Sequence, residues 1–207
     1  MKEDRSKHAI VQSGIDVKSW HSQVPSVEVA RPGQCPSCEA ASRPPGGRLG
    51  LHGHGLRERQ QRGPLTPGGP PTIIVLCVRR YRCAGCHAVV TVVPCGVITH
   101  RLFSGAAIAD AVALFGLCRE SPAVVRRKVS PWSWVGPTAA AGWASLWRWL
   151  RAIEGGRLFA RLRRPAPCGT LRSVAEQAGA ALAAFAPAMH SARPLHEQAF
   201  FGGAAMA

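Results

Sequence analysis

The chain has 207 residues, enough for one ordinary domain or two small ones and for one helical core that needs no cross-link. Its 26 basic side chains against 11 acidic ones give a formal charge of +15, which fits a polyanionic partner such as nucleic acid and speaks against an enzyme with an acidic surface. The start, MKEDRSKHAI, resembles no secretory signal, and the longest apolar run, Ala178–Met189, is too short and alanine-rich for a bilayer that takes roughly 20 residues to cross, so the expectation is a cytoplasmic protein with no membrane partner. Arg outnumbers Lys 22 to 4 beside abundant Ala, Gly and Pro, a usage that a GC-rich genome also produces without selection for binding.

Residues 1–30 are polar without a sustained period and are expected to form a flexible arm, with one short strand over Val27–Ala30. From 31 to 100 the chain is punctuated by Gly and Pro, most densely in GPLTPGGPP at 63–71, and the β-branched runs TIIVLCVRRYR at 72–82 and AVVTVV at 88–93 predict strands of a small antiparallel sheet. At Ser104 the period changes. Ser104 is placed as an N-cap, Ile108, Ala111, Val112 and Phe115 recur at helical spacing, and Gly116 stands near the end. Ser121 and Pro122 predict the start of a second helix, whose last turn carries Arg126, Arg127 and Lys128 where the helix dipole favours cations. After the connection SPWSWVGP, Thr138 is placed to cap a third helix running to about Ile153 and stopped by Gly155 and Gly156. Residues 101–156 thus read as a helical domain. Over 157–207 the expectation is one auxiliary helix from about Thr170 to Phe185 and then a flexible Gly/Ala tail. The fold class is α+β, a small antiparallel sheet followed by helices.

In a reducing compartment eight cysteines are not expected to form disulfides, and CPSC at 35–38 with CAGC at 83–86 has the paired spacing of metal ligands. Each pair can present two thiolates on a tight turn, so Cys35, Cys38, Cys83 and Cys86 are assigned to one tetrahedral Zn2+ in a zinc ribbon over 31–100. The 44 residues between Cys38 and Cys83 exceed the commonest finger spacings, and the hairpin with its Pro/Gly loop returns the chain to the first turn. Cys77, Cys95, Cys118 and Cys168 lack paired spacing and are assigned no role. CAGCH also matches the c-type haem attachment pattern, but that reading needs export and leaves the first pair unexplained. A thioredoxin-like redox site needs a pair opening a helix in a βαβ unit, and neither pair does so.

CPSC, the run HGHGLRERQ, and RRYRCAGC leading into the second pair together resemble the zinc-ribbon and helix-turn-helix region at the N-terminus of bacterial insertion-sequence transposases, and short proteins that carry this region alone. The likeness covers Cys35 to about Ile153. It implies that the four cysteines ligate zinc, that the helices after Ser104 contact DNA in a helix-turn-helix-like domain at 101–156, and that a separately encoded recombinase is a partner. Such transposases continue into an RNase H-like catalytic domain that holds metal with three acidic residues. Beyond residue 100 this chain has only Asp110, Glu120, Glu154, Glu176 and Glu197, scattered over helices and loops, so it reads as a non-enzymatic DNA-binding half.

Two basic surfaces are expected to meet DNA. In the third helix Trp143, Leu146, Trp147, Leu150 and Ile153 share one face, which leaves Ala144, Ser145, Arg148 and Arg151 on the other, small and basic enough for a major groove. Arg126 and Arg127 extend that surface. In the ribbon Arg57, Arg59, Arg62, Arg79, Arg80 and Arg82 are opposed only by Glu58 and suit phosphate contact, although Arg79 and Arg80 must point to opposite faces of their strand. Two other classes compete with this reading. One is a protein–protein adaptor whose ribbon docks a partner. The other is a single-strand nickase in which His52 and His54 hold a metal and Tyr81, the only tyrosine, is the nucleophile.

Overall fold

A computed structural model describes residues 8–132, 142–163 and 169–207. In chain order the elements are β1 (His8–Asp16), α1 (Val17–Ser22), β2 (Leu51–Pro64), β3 (Pro71–Cys83), β4 (Val89–Cys95), α2 (Gly105–Gly116), α3 (Pro122–Val129), α4 (Ala144–Glu154), α5 (Leu171–Ala183) and α6 (Leu195–Ala205), with a 3-10 turn at Ala188–His190 before α6. The class is mixed α+β. The chain divides into two compact units, one formed by the chain up to Gln60 with Val75–Cys95, the other by Gln61–Ile74 with Gly96–Ala207. No described helix is long and apolar enough to cross a membrane.

The four strands lie in the order β1-β4-β3-β2. β4 reads VVTVVPC, and five of its seven residues, Val90 to Pro94, are buried, as expected of an inner strand covered on both faces. It pairs antiparallel with β3, Tyr81 opposite Val90 and Arg79 opposite Val92, and parallel with β1, Val11 opposite Val92. The sheet is therefore mixed and not purely antiparallel. Its β1 comes from the stretch expected to be a flexible arm, while Val27–Ala30, expected to be a strand, is a turn in which the Ala30 amide donates to Ser26. The reason is that β1 carries a weak local signal, and its ladder is supplied by a partner about eighty positions away. Asp16 ends β1 and caps α1, accepting from the amides of Lys18 and Ser19 at 2.9 and 3.0 Å. The core of this unit gathers Trp20, Leu51, Tyr81, Val90 and Val92 beside Cys35 and Cys83. The Trp20 indole donates to the Cys77 carbonyl at 2.9 Å, so the buried ring is fully satisfied.

The helical unit is arranged around α2, GAAIADAVALFG, in which all twelve residues are buried. A helix apolar all round belongs inside a core, and α3, α4, α5 and α6 all pack on it. Two caps stand where the sequence places them, and Thr170, expected only as the start of its helix, is a third. Ser104 accepts from the Ala107 amide at 3.0 Å, Ser121 from Val124 at 3.4 Å and Thr170 from Ser173 at 3.2 Å. α4 begins at Ala144 after Trp143, which supplies no capping bond, and the Thr138 expected as its cap lies outside the described residues. Gly156, just past α4, has φ +68, the left-handed conformation that ends helices at glycine. The buried stripe of α4 is Leu146, Trp149, Leu150 and Ile153, so Trp149 joins the core while Trp147 is half-buried with its ring edge-on to Phe115 at 5.3 Å.

The expected flexible tail is instead α6, packed on α2 and α5. Glycine makes this possible: a Cβ on Gly203 would lie 2.2 Å from the Ala109 Cβ and 2.7 Å from the Gly105 carbonyl oxygen. Weak helix propensity, about 1 kcal/mol per glycine against alanine, is outweighed here by backbone contact that no larger residue allows.

Candidate metal centre

CPSC and CAGC fold into two copies of one turn. In the first, the Cys35 amide donates to the Ala40 carbonyl at 2.9 Å and the Glu39 amide to the Cys35 carbonyl at 2.8 Å. In the second, the Cys83 amide donates to Ala88 at 3.0 Å and the His87 amide to Cys83 at 3.1 Å. Glu39 and His87, each directly after the second cysteine of its pair, both have φ 59, the left-handed conformation that reverses the chain. The Ala84 amide donates to the Gly50 carbonyl at 2.8 Å and ties the second turn to the segment leaving the first. The geometry is thus written locally, twice, and the sheet brings the copies together.

The four sulfurs converge within 4.8 Å of one another, with Cys35 to Cys86 and Cys38 to Cys83 each at 3.7 Å. Four thiolates at about 2.3 Å from a tetrahedral ion stand about 3.8 Å apart, so these residues fit one metal ion. None of the four is in a disulfide. Cys35 and Cys83 are buried, Cys86 is half-buried and Cys38 is exposed, so the centre has a dry side against Tyr81 and Leu51 and a wet side. The Cys83 thiol is drawn down to about 7: burial opposes ionisation, but the amides of Cys86 and Gly85 and the thiols of Cys38 and Cys86 donate to its sulfur and prevail. Cys38 goes the other way, to about 12, because the Ala40 amide favours its thiolate but is outweighed by the neighbouring sulfurs and burial, which keep its proton on. The two sulfurs are therefore shifted in opposite directions, and a bound cation would draw both towards the thiolate.

Cys77, Cys95 and Cys118 stand apart from this cluster, and burial pushes the thiols of Cys95 and Cys118 up, away from the reactive thiolate form. Cys168 lies outside the described residues. Tyr81 is fully buried, and its hydroxyl donates to the Val27 carbonyl at 2.7 Å, while His52 and His54 are exposed on β2. No phenol is therefore presented to solvent beside that histidine pair.

The arginines assigned to DNA fall into three groups. Arg79 is half-buried, its Nε donating to the Pro25 carbonyl at 2.5 Å, which ties it to the segment before Val27. Arg57, Arg82, Arg127, Arg148 and Arg151 are exposed, and Arg59, Arg80 and Arg126 are half-buried. Arg126 and Arg148 are brought together with Arg62 in one cleft of the helical unit. Arg62, expected among the ribbon charges, lies instead in this cleft. Its place is set by a bridge to Phe103, with the Arg62 amide donating to Leu102 at 2.8 Å, and no local pattern announces such a pairing.

Comparisons against protein-family models, curated proteins and solved structures each return no match.

Proposed function

We propose that this chain is a zinc-dependent DNA-binding protein, related to the non-catalytic N-terminal part of insertion-element transposases, in which a zinc ribbon and a helix-turn-helix-like helical unit each present basic side chains to a duplex. An all-sulfur, closed tetrahedral donor set favours zinc over the harder cations, and a site with no open position favours a structural over a catalytic ion. The observation that carries DNA binding is the placement of charge. Arg57, Arg80, Arg82, Arg127, Arg148 and Arg151 make no ion pair among the described residues, while Glu28, Glu120, Glu176 and Glu197 are paired with other cations. A surface that leaves its guanidiniums unneutralised is suited to phosphate. On α4 the exposed Arg148 and Arg151 lie one turn apart, opposite the buried stripe, as a helix entering a major groove requires. A nickase reading is weakened by the burial of Tyr81.

The test is a salt titration of binding to selected and random duplexes. Arg80→Ala with Arg82→Ala should weaken all sequences alike and flatten the slope of log affinity against log salt by about 0.9 per phosphate no longer neutralised. Arg148→Ala with Arg151→Ala should cost roughly 1 to 3 kcal/mol each on the selected site and little on random DNA. Small, equal effects of both pairs would replace this reading with the adaptor.

A further inference from the structure

The helical unit carries a cleft at the N-terminal end of α4 that shares Arg148 with the outward face of that helix and is otherwise unexplained. Its volume is about 360 Å³, and its walls include Arg62, Arg126, Arg148, Ser130, Ser145 and Trp132. A neighbouring hollow of about 200 Å³ shares Arg62 and Arg148 and adds His100 and Arg101. Among the described residues no carboxylate lines either one. Guanidiniums carried by β2, α3 and α4 are therefore brought to one cavity, where a single phosphate can meet more than one of them. α4 opens at the same place, with no acid in its first turn and no capping side chain, so its partly positive end adds to the field.

The aromatic part of the cleft is equally specific. Its floor is Phe103, whose ring meets Trp143 and Trp149 edge-on at 5.7 and 5.0 Å, and these two indoles meet each other at 4.9 Å. Trp143 and Trp149 are buried, so the floor is rigid. Trp132 stands on the rim, 50% exposed, with the Arg62 guanidinium 5.7 Å from its ring centre. An indole left half in water beside three guanidiniums and two hydroxyls has an evident use when a flat, polar-edged ring stacks upon it.

We propose that this cleft takes one unpaired nucleotide of a DNA strand, its phosphate held by Arg62, Arg126 and Arg148 and its base stacked on Trp132. The inference rests on the DNA-binding reading and adds to it: the nucleotide in the cleft must come from a single or locally opened stretch beside the bound duplex, because a cavity of this volume is in the range that encloses a small ligand and not a duplex. Ser130 and Ser145 lie where hydroxyls can reach phosphate or sugar oxygens.

The experiment measures fluorescence anisotropy of the full-length, zinc-loaded chain with a labelled thymidine strand of about 12 nucleotides, within the span that single-strand-binding grooves cover, and with a duplex of the same length. Trp132→Ala should weaken the single strand by about 5- to 150-fold, the range for removal of one base–aromatic stack, and change duplex affinity less than about twofold. Trp132→Phe should restore most of the single-strand affinity. Arg148→Glu should flatten the single-strand salt dependence by about 0.7 for each phosphate released. In an independent measurement on the unaltered protein, photocrosslinking a 5-bromodeoxyuridine strand should place the adduct on Trp132. Unchanged single-strand affinity in Trp132→Ala, equal weakening on strand and duplex, or an adduct only elsewhere would overturn the cleft while leaving DNA binding intact. Absence of binding to either form would overturn both.

Discussion

The sheet unit and the helical unit solve the same problem with different materials. In the sheet unit a small apolar cluster around Trp20, Tyr81 and Leu51 merges directly into the sulfurs of Cys35 and Cys83, and a long segment from Gln23 to Gly50 contains no helix or strand. In the helical unit α2 is enclosed on every side, and Trp149, Leu150, Ile153, Val174 and Leu182 extend one continuous core. The four sulfurs of the first unit can hold a metal ion that would cross-link its loop-rich chain, whereas the second unit holds its helices by close packing. If the sulfurs bind their ion, metal and apolar burial are alternatives within one polypeptide, and each unit should fail in its own way.

The largest expected effect is metal removal. Structural tetrathiolate sites contribute apparent binding energies of about 10 to 16 kcal/mol at neutral pH, so chelation should unfold the sheet unit and leave the helical unit folded. Hydrogen exchange read segment by segment should lose protection in β3 and β4 and keep it in α2. Cys35→Ser and Cys83→Ser should reproduce that pattern, Cys118→Ser should not, and simultaneous deprotection of α2 would break the comparison.

Next comes the packed core. Leu150 is fully buried, and Leu150→Ala should cost about 2 to 5 kcal/mol in denaturant unfolding of the helical unit while metal content stays unchanged. A fall in bound metal in that variant would show that the two units do not fail independently.

The smallest of the three sharpens the contrast through pH. Asp110, in the middle of α2, has its carboxyl raised from 3.8 to about 7, chiefly by burial, with Glu197 adding to the rise and Lys128 opposing it. An acid whose folded pKa lies above its unfolded value binds its proton more tightly when folded. Its contribution is fully present below pH 3.8 and is lost as pH rises through about 7, at most about 4 kcal/mol in all. Thermal unfolding of the helical unit should therefore become easier as pH rises from about 5 to about 8, and Asp110→Asn should flatten that slope. A slope unchanged in the variant would remove Asp110 as its source. Below that range protonation of the thiolates should instead weaken the sheet unit, so the two units should respond to acid with opposite signs.

Much of this molecule is legible in the chain because much of it is local. A Cys-x-x-Cys turn needs only a handful of consecutive residues to form, and the two turns are recognisable wherever the sheet carries them. The caps at Ser104, Ser121 and Thr170 are decided by hydrogen bonds spanning three residues, and the apolar run of α2 announces a buried helix by composition alone. What tertiary structure decided was every feature whose partner is far away in sequence. β1 is a strand because β4 offers it a ladder, α6 is a helix because Gly203 can lie against Ala109, and the Arg79 Nε is satisfied because the Pro25 carbonyl is there to receive it. Arg62, Arg126 and Arg148 share no pattern in sequence and meet only once the Arg62–Phe103 bridge and the packing of α3 and α4 have formed. Hydrogen bonds within a turn depend on neighbours that the chain cannot lose, whereas a ladder, a close helix crossing or a cleft depends on surfaces that exist only after the core has closed.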